Sequence, residues 1–199
     1  MFDLFVDVQG SGDDVMLLHG LGATHHSWFR TVDTLRNKYR CHSVDLAGFG
    51  DSWEPPKGFG HSMSEQADIL INYLDARKIE EIRLIGHSMG GGISLHVIEK
   101  LADRGEADRM KCIVLVAPAL LPNTFAQMLA IILRLTPFLP AKTVAETLLR
   151  QIYFEPDKVA DLESYASAFA VNFTAKRSNS MSSHAASLSS KASFALNFE

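Results

Sequence analysis

The stretch that most restricts how this 199-residue chain can fold runs from Ile82 to Asp103. A short apolar strand, Ile82 to Ile85, leads directly into Gly86-His87-Ser88-Met89-Gly90. Gly91 to Asp103 then places Ile93, Val97 and Leu101 at helical spacing. A strand that becomes a helix within five residues holds its central residue in strained backbone angles. Side chains at positions 86 and 90 would collide across such a turn, which accounts for the two glycines. The strain lifts the Ser88 hydroxyl above the strand ends, and the helix that follows points its N-terminus at the same place, favouring negative charge that develops there. The pentapeptide fits G-x-S-x-G, and the strand before it and helix after it are the context that motif requires. Ser88 is therefore the candidate catalytic residue, with Gly86, His87 and Gly90 as support for the turn.

A second signal lies upstream. The short strand Val15 to Leu18 ends at His19-Gly20-Leu21-Gly22. A backbone amide in a turn of this kind can face a substrate carbonyl. The amide of Leu21, together with that of Met89, would supply two donors to a tetrahedral oxyanion. His19 and Gly20 support that turn; His19 is expected to brace the loop and not to transfer protons.

The remaining pattern is that of an α/β domain. Phe2 to Val8 and Arg40 to Leu46 read as strands, as does Lys111 to Val116. Ser27 to Tyr39 has helical spacing at Trp28, Val32 and Leu35. Gly48 to Gly60 reads as a loop. Ser62 with Glu65 forms a capping-box pattern ahead of a helix carrying Met63, Ala67, Leu70, Ile71 and Leu74 on one face. Strands that alternate with helices imply a mostly parallel sheet with helices on its faces. After Pro118 helical periodicity continues to about residue 175 without a strand, and residues 178–190 hold seven serines. The expected division is a core over 1–118 and a helical cap with a serine-rich tail over 119–199.

Composition narrows the function classes. A hydrophobic content of 47% suits one globular domain with a substantial core. The net charge of −4 comes without any basic block, so no nucleic-acid surface is expected. Cys41 and Cys112 fall inside apolar runs and read as small buried hydrophobes. Neither a disulfide framework nor a metal-ligand spacing is present, and no metal or cofactor is expected. The N-terminus lacks the pattern of a signal peptide. The apolar stretch Phe125 to Leu139 contains Gln127 and Arg134 and is broken by Pro137, so no membrane span is expected. The expected location is cytoplasmic.

These residues resemble the α/β-hydrolase family. The likeness covers about Phe2 to Pro118. It includes the His19-Gly20 turn, then Asp45-Leu46-Ala47-Gly48-Phe49-Gly50-Asp51-Ser52 in the place of D-x-x-G-x-G-x-S, then Gly86-His87-Ser88-Met89-Gly90-Gly91. The resemblance implies that the strands from Val15 onward are numbers three to six of the family's sheet, that the stretch after Pro118 caps the site, and that Asp45 is structural. Family members that open epoxides or remove halides use an aspartate where this chain has Ser88. A serine there implies attack on an acyl carbonyl through an acyl-enzyme. The resemblance also implies that an acid and then a histidine follow the nucleophile on later loops. Neither a strand followed by G-x-x-D nor a terminal strand followed by G-H occurs before Glu199. His96 sits two turns into the helix and points away, and His184 lies in the serine-rich tail. His25 and His26 sit beside the oxyanion turn, within reach of a substrate, and read as solvated or helix-capping.

Two functions follow. The first is a serine hydrolase acting on a carboxylic ester or similar, hydrophobic acyl compound, in C-terminally truncated form and with little esterase activity in isolation. The alternative is a truncated, inactive module that binds a small hydrophobic ligand. The two strands that pair outward from Lys111–Val116 in the family are not visible in the sequence. The uncharged run 112–116 is therefore expected to form an open sheet edge prone to self-association.

Overall fold

The computed structural model describes residues 4–56 and 61–119. The cap, the serine-rich tail, the apolar stretch Phe125–Leu139 and His184 all lie outside the described residues. Five strands form a single sheet: β1 (Val6–Gln9), β2 (Asp13–Leu18), β3 (Tyr39–Val44), β4 (Ile82–His87) and β5 (Met110–Val116), in the order β1-β3-β2-β4-β5. β1 pairs antiparallel with β3, and the other pairs are parallel. Parallel neighbours need a crossover, which α1 (Phe29–Leu35), α2 (Met63–Ala76) and α3 (Met89–Asp103) provide.

Strand alternation decides which face each helix covers. Met16, Leu18, Val44 and Leu84 point one way and pack with Leu70, Ile71 and Leu74 of α2 and Ile93, Val97 and Leu101 of α3. Val15, Leu17 and Cys41 point the other way, onto Trp28 and Val32. Helices therefore lie on both faces, and each fully buried Leu or Ile contributes about 1.5–3 kcal/mol. The start of α2 follows from its sequence. Ser62 accepts from the Glu65 N–H at 3.2 Å, and the Glu65 carboxylate returns to the Ser62 N–H at 2.9 Å.

Several expectations need correction. β1 begins at Val6, because its ladder to β3 opens at the pair Val6–Val44. The segment read as one helix from Ser27 to Tyr39 is a 3-10 turn, His25–Trp28, followed by α1, which stops at Leu35. α3 starts at Met89, two residues earlier than its spacing suggested. Cys112 is exposed, whereas Cys41 is buried as expected. The cause is a register shift: Ile82 pairs with Met110 and Arg83 with Cys112, so one strand residue is unopposed. Beyond the shift Ile113 packs toward the core under α3, and the alternate positions Cys112, Val114 and Val116 face the other side. No described element covers that side of β5, which leaves Val114 and Val116 each 44% exposed. Among the described residues β5 is the edge of the sheet, and no helix there is long and apolar enough to cross a membrane.

Candidate functional site

β4 delivers its last residue, His87, to the C-terminal edge of the sheet, and the chain reverses into α3 through Ser88 alone. Ser88 has φ 50° and ψ −115°, a left-handed conformation that a residue with a Cβ adopts only at a cost of about 1–3 kcal/mol. Hydrogen bonds on both sides hold it there. The Ser88 N–H donates to the Val116 carbonyl at 2.9 Å. The Ser88 carbonyl accepts from the amides of Gly91, Gly92 and Ala119 at 3.0, 3.2 and 2.9 Å. The parallel neighbour β5 thus supplies part of the force that keeps the turn strained.

The glycines of the turn are explained by contact. A Cβ on Gly86 would stand 2.5 Å from both the Gly90 carbonyl oxygen and Ser94 Oγ, and one on Gly90 would overlap the Leu18 carbonyl. α3 therefore presses its first turn directly on the end of β2. Ser94, fully buried, answers the Gly90 carbonyl at 2.8 Å.

The His19-Gly20-Leu21-Gly22 turn at the end of β2 lies against Ser88. A Cβ built on Gly20 would sit 3.2 Å from Ser88 Cβ and 3.0 Å from His87 Nδ1. The turn closes through the Ala23 N–H on the Gly20 carbonyl at 3.1 Å. Met89, as the first residue of α3, has no intrahelical acceptor for its amide. The structure thus brings Ser88, Gly20 and the first turn of α3 together at one end of the sheet, with Leu21 beside them in the turn.

His19 is fully buried and committed. Its Nε2 accepts from the Leu46 N–H at 3.1 Å, so its proton is on Nδ1, which donates to the Gly20 carbonyl at 2.8 Å. Burial pushes its pKa down to about 4, against opposing contributions from the Gly20 carbonyl and Asp45. These bonds fix the ring between the Gly20 carbonyl and the Leu46 amide. His87, adjacent to Ser88, is exposed, with its ring over Gly20. His96 turns to Glu99 at 3.0 Å on the outside of α3. Sequence reasoning missed one contact: His25, read as solvated or capping, has its ring on Asp45. The two are 20 residues apart in different elements, and no local pattern links them. Among the described residues no group of three His, Cys, Asp or Glu side chains is placed to hold a metal ion.

Comparison with known proteins agrees with this architecture. The profile of the alpha/beta hydrolase fold matches residues 14–190. Haloalkane dehalogenase 2 of Mycobacterium tuberculosis is 33% identical over 100 residues, which cover 50% of this chain and 34% of that protein. The pimeloyl-[acyl-carrier protein] methyl ester esterase of Vibrio atlanticus is 32% identical over 94 residues, covering 47% of this chain and 34% of that protein. The match thus spans about a third of the length of each of these two curated relatives. Among solved structures, an esterase from Exiguobacterium antarcticum superposes with a TM-score of 0.77 at 21% identity, over 95% of this chain and 70% of that one. With most of its length matched by the family profile, and with the sheet order and strand-to-helix turn described above, the chain belongs to the α/β-hydrolase fold family.

Proposed function

We propose that this chain is a serine hydrolase that cleaves a carboxylic ester or similar acyl compound through an acyl-enzyme on Ser88. The observation that carries the reading is the strained conformation of Ser88 between β4 and α3, with the Gly20 turn against it. In this reading Ser88 Oγ attacks the acyl carbonyl carbon and its proton passes to a base. The carbonyl oxygen becomes an oxyanion, held by the amides of Leu21 and Met89. Collapse expels the alcohol with a proton, and water then releases the carboxylic acid and restores Ser88. Each oxyanion donor is worth about 3–4 kcal/mol in such sites. His19, Gly20, Gly86, His87 and Gly90 shape and support the two turns. His19, His42 and His96 each have hydrogen-bond partners of their own. In the family's order the base and its acid belong to segments after Ser88. The apolar sequence Phe125–Leu139 supports a hydrophobic acyl group as substrate.

The test is hydrolysis of short p-nitrophenyl esters, together with covalent labelling by a fluorophosphonate, in wild type and Ser88→Ala. Ser88→Ala should abolish labelling and remove the turnover that wild type shows. Equal labelling in the two proteins would sink the proposal. Tight binding of a hydrophobic ligand that is indifferent to Ser88→Ala, without any turnover, would support the binding-module alternative.

A further inference from the structure

Asp45 follows β3 and is fully buried, yet its carboxylate is surrounded by donors. The main-chain N–H of His25 donates to Oδ1 at 2.6 Å, His25 Nδ1 meets Oδ2 at 3.0 Å, and the Asp51 N–H donates to Oδ2 at 2.9 Å. A carboxylate only accepts, so the His25 ring carries its proton on Nδ1. One residue thereby grips a buried charge with its backbone and its side chain together. The space for that charge is reserved: Gly50 has φ +51°, and a Cβ there would overlap the Asp45 carboxylate. The His25 ring is packed as well, with ring centroids 4.8 Å from Phe5 and 3.9 Å from His26. Phe5 is itself tied down, its N–H donating to Ser52 Oγ at 2.8 Å and its carbonyl accepting from the Asp45 N–H at 3.0 Å.

His25 stands at the far end of the turn Gly20–Thr24, and His19 stands at the near end. His19 is bonded to the Leu46 N–H, and His25 to the neighbouring Asp45 carboxylate. The turn that touches Ser88 is thus suspended between two imidazoles, both anchored on Asp45-Leu46.

We propose that His25 is a positioning residue: its ring contact with Asp45 holds the turn 20–24, and with it the Leu21 amide, in place relative to Ser88. The proposal rests on the reading of Leu21 as an oxyanion donor, and His25 itself does not touch the reacting atoms. The physical reason is the steepness of hydrogen-bond energy with distance and angle. A donor that wanders loses most of its value in a transition state while substrate binding is little affected.

Two substitutions separate the possibilities. His25→Phe keeps a ring against Phe5 but deletes the Nδ1 donor, and His25→Asn returns an N–H donor on a shorter side chain. The full chain is measured by amide hydrogen exchange and by steady-state hydrolysis of p-nitrophenyl acetate. His25→Phe should speed exchange of the amides at 21–24 by about 10-fold or more and lower kcat by about 10- to 100-fold, with KM within about 2-fold. Exchange in α2 should not change, and His25→Asn should restore both readings. Unchanged exchange at 21–24, a loss confined to KM, or failure of His25→Asn to restore would each overturn the proposal. If wild type shows no Ser88-dependent hydrolysis, the reading of the site fails and exchange decides alone. Faster exchange in His25→Phe that His25→Asn reverses then sustains the grip, and unchanged exchange refutes it.

Discussion

At the scale of single residues, the region around Ser88 is governed by how closely backbones approach. Gly90 sits where α3 meets the end of β2, and a methyl group there would overlap backbone, which cannot swing aside as a side chain can. Gly90→Ala should therefore force α3 away from β2. The expected loss is about 1–3 kcal/mol of stability, read as a lower urea midpoint with unchanged slope. The displacement should also slow fluorophosphonate labelling of Ser88, because Met89 and Ser88 move with the helix. A variant as stable and as reactive as wild type would show that the contact is relieved at no cost. The pentapeptide made the need for glycine legible, since a strand-to-helix turn of five residues leaves no room for side chains. The partner of the contact was not legible, because Leu18 lies 72 positions upstream and only the sheet brings it there.

At the scale of elements, α2 is held at its start by local chemistry and in its third turn by the fold. Its capping box, Ser62 with Glu65, is written in the sequence. Further along, Tyr73 OH meets His42 Nδ1 at 3.0 Å, His42 Nε2 meets Asp14 Oδ1 at 2.6 Å, and Arg40 grips Asp14 through two bonds of 2.6 and 2.7 Å. With Asp14 accepting, His42 carries its proton on Nε2 and takes the Tyr73 hydroxyl proton as a hydrogen bond on Nδ1. α2 is thereby connected across β3 to β2. Ser62→Ala should cost about 1 kcal/mol through the lost cap, and Tyr73→Phe about 1 kcal/mol through the lost bond to a buried imidazole. The two positions are about 16 Å apart along the helix at 1.5 Å per residue, so the double variant should show the sum to within about 0.5 kcal/mol. Urea titrations of the three variants check this, and a strongly non-additive pair would mean that the cap and the network melt as one unit. Element types followed from period and capping. Their ends did not: α1 stops short and β5 slips its register, because pairing with neighbours sets those boundaries.

At the scale of the whole molecule, three buried histidines, His19, His42 and His61, make the fold sensitive to acid, because burial lowers the pKa of each. His19 braces the Ser88 end, and burial lowers its pKa to about 4. His42 lies within β3, opposite Met16 of β2. Its pKa is lowered chiefly by burial, with Asp14 opposing. For Asp14 burial alone would raise the pKa, but the bonds from Arg40 and His42 together bring it below its usual value. A histidine whose folded pKa lies below its unfolded value favours the native state while neutral. Its contribution is complete above about pH 6.5 and is lost as pH falls toward the folded pKa. For His19 the window runs from about pH 6.5 to about 4 and is worth on the order of 3 kcal/mol. The Asp14 contribution is lost only lower, below the ordinary carboxylate range. Stability measured in urea should therefore fall between pH 7 and pH 4.5. His19→Gln, although less stable at pH 7, should lose distinctly less over that interval. A His19→Gln slope equal to that of wild type would place the acid sensitivity elsewhere.

The sequence by itself determined the alternation of strands and helices, the strand–turn–helix around Ser88, the glycines it needs and the cap of α2. Each of these is local: the period of apolar residues, the absence of a Cβ, or a side chain reaching its own backbone three positions on. Tertiary structure decided what depends on distant partners. It set the faces of β5 and left Cys112 exposed, joined Tyr73 to His42 and Asp14, and placed the His25 ring on Asp45. These contacts join residues 20 to 31 positions apart. A histidine or a cysteine in sequence carries no mark of whether it will meet a carboxylate, a hydroxyl or solvent, since strand order and register make that choice.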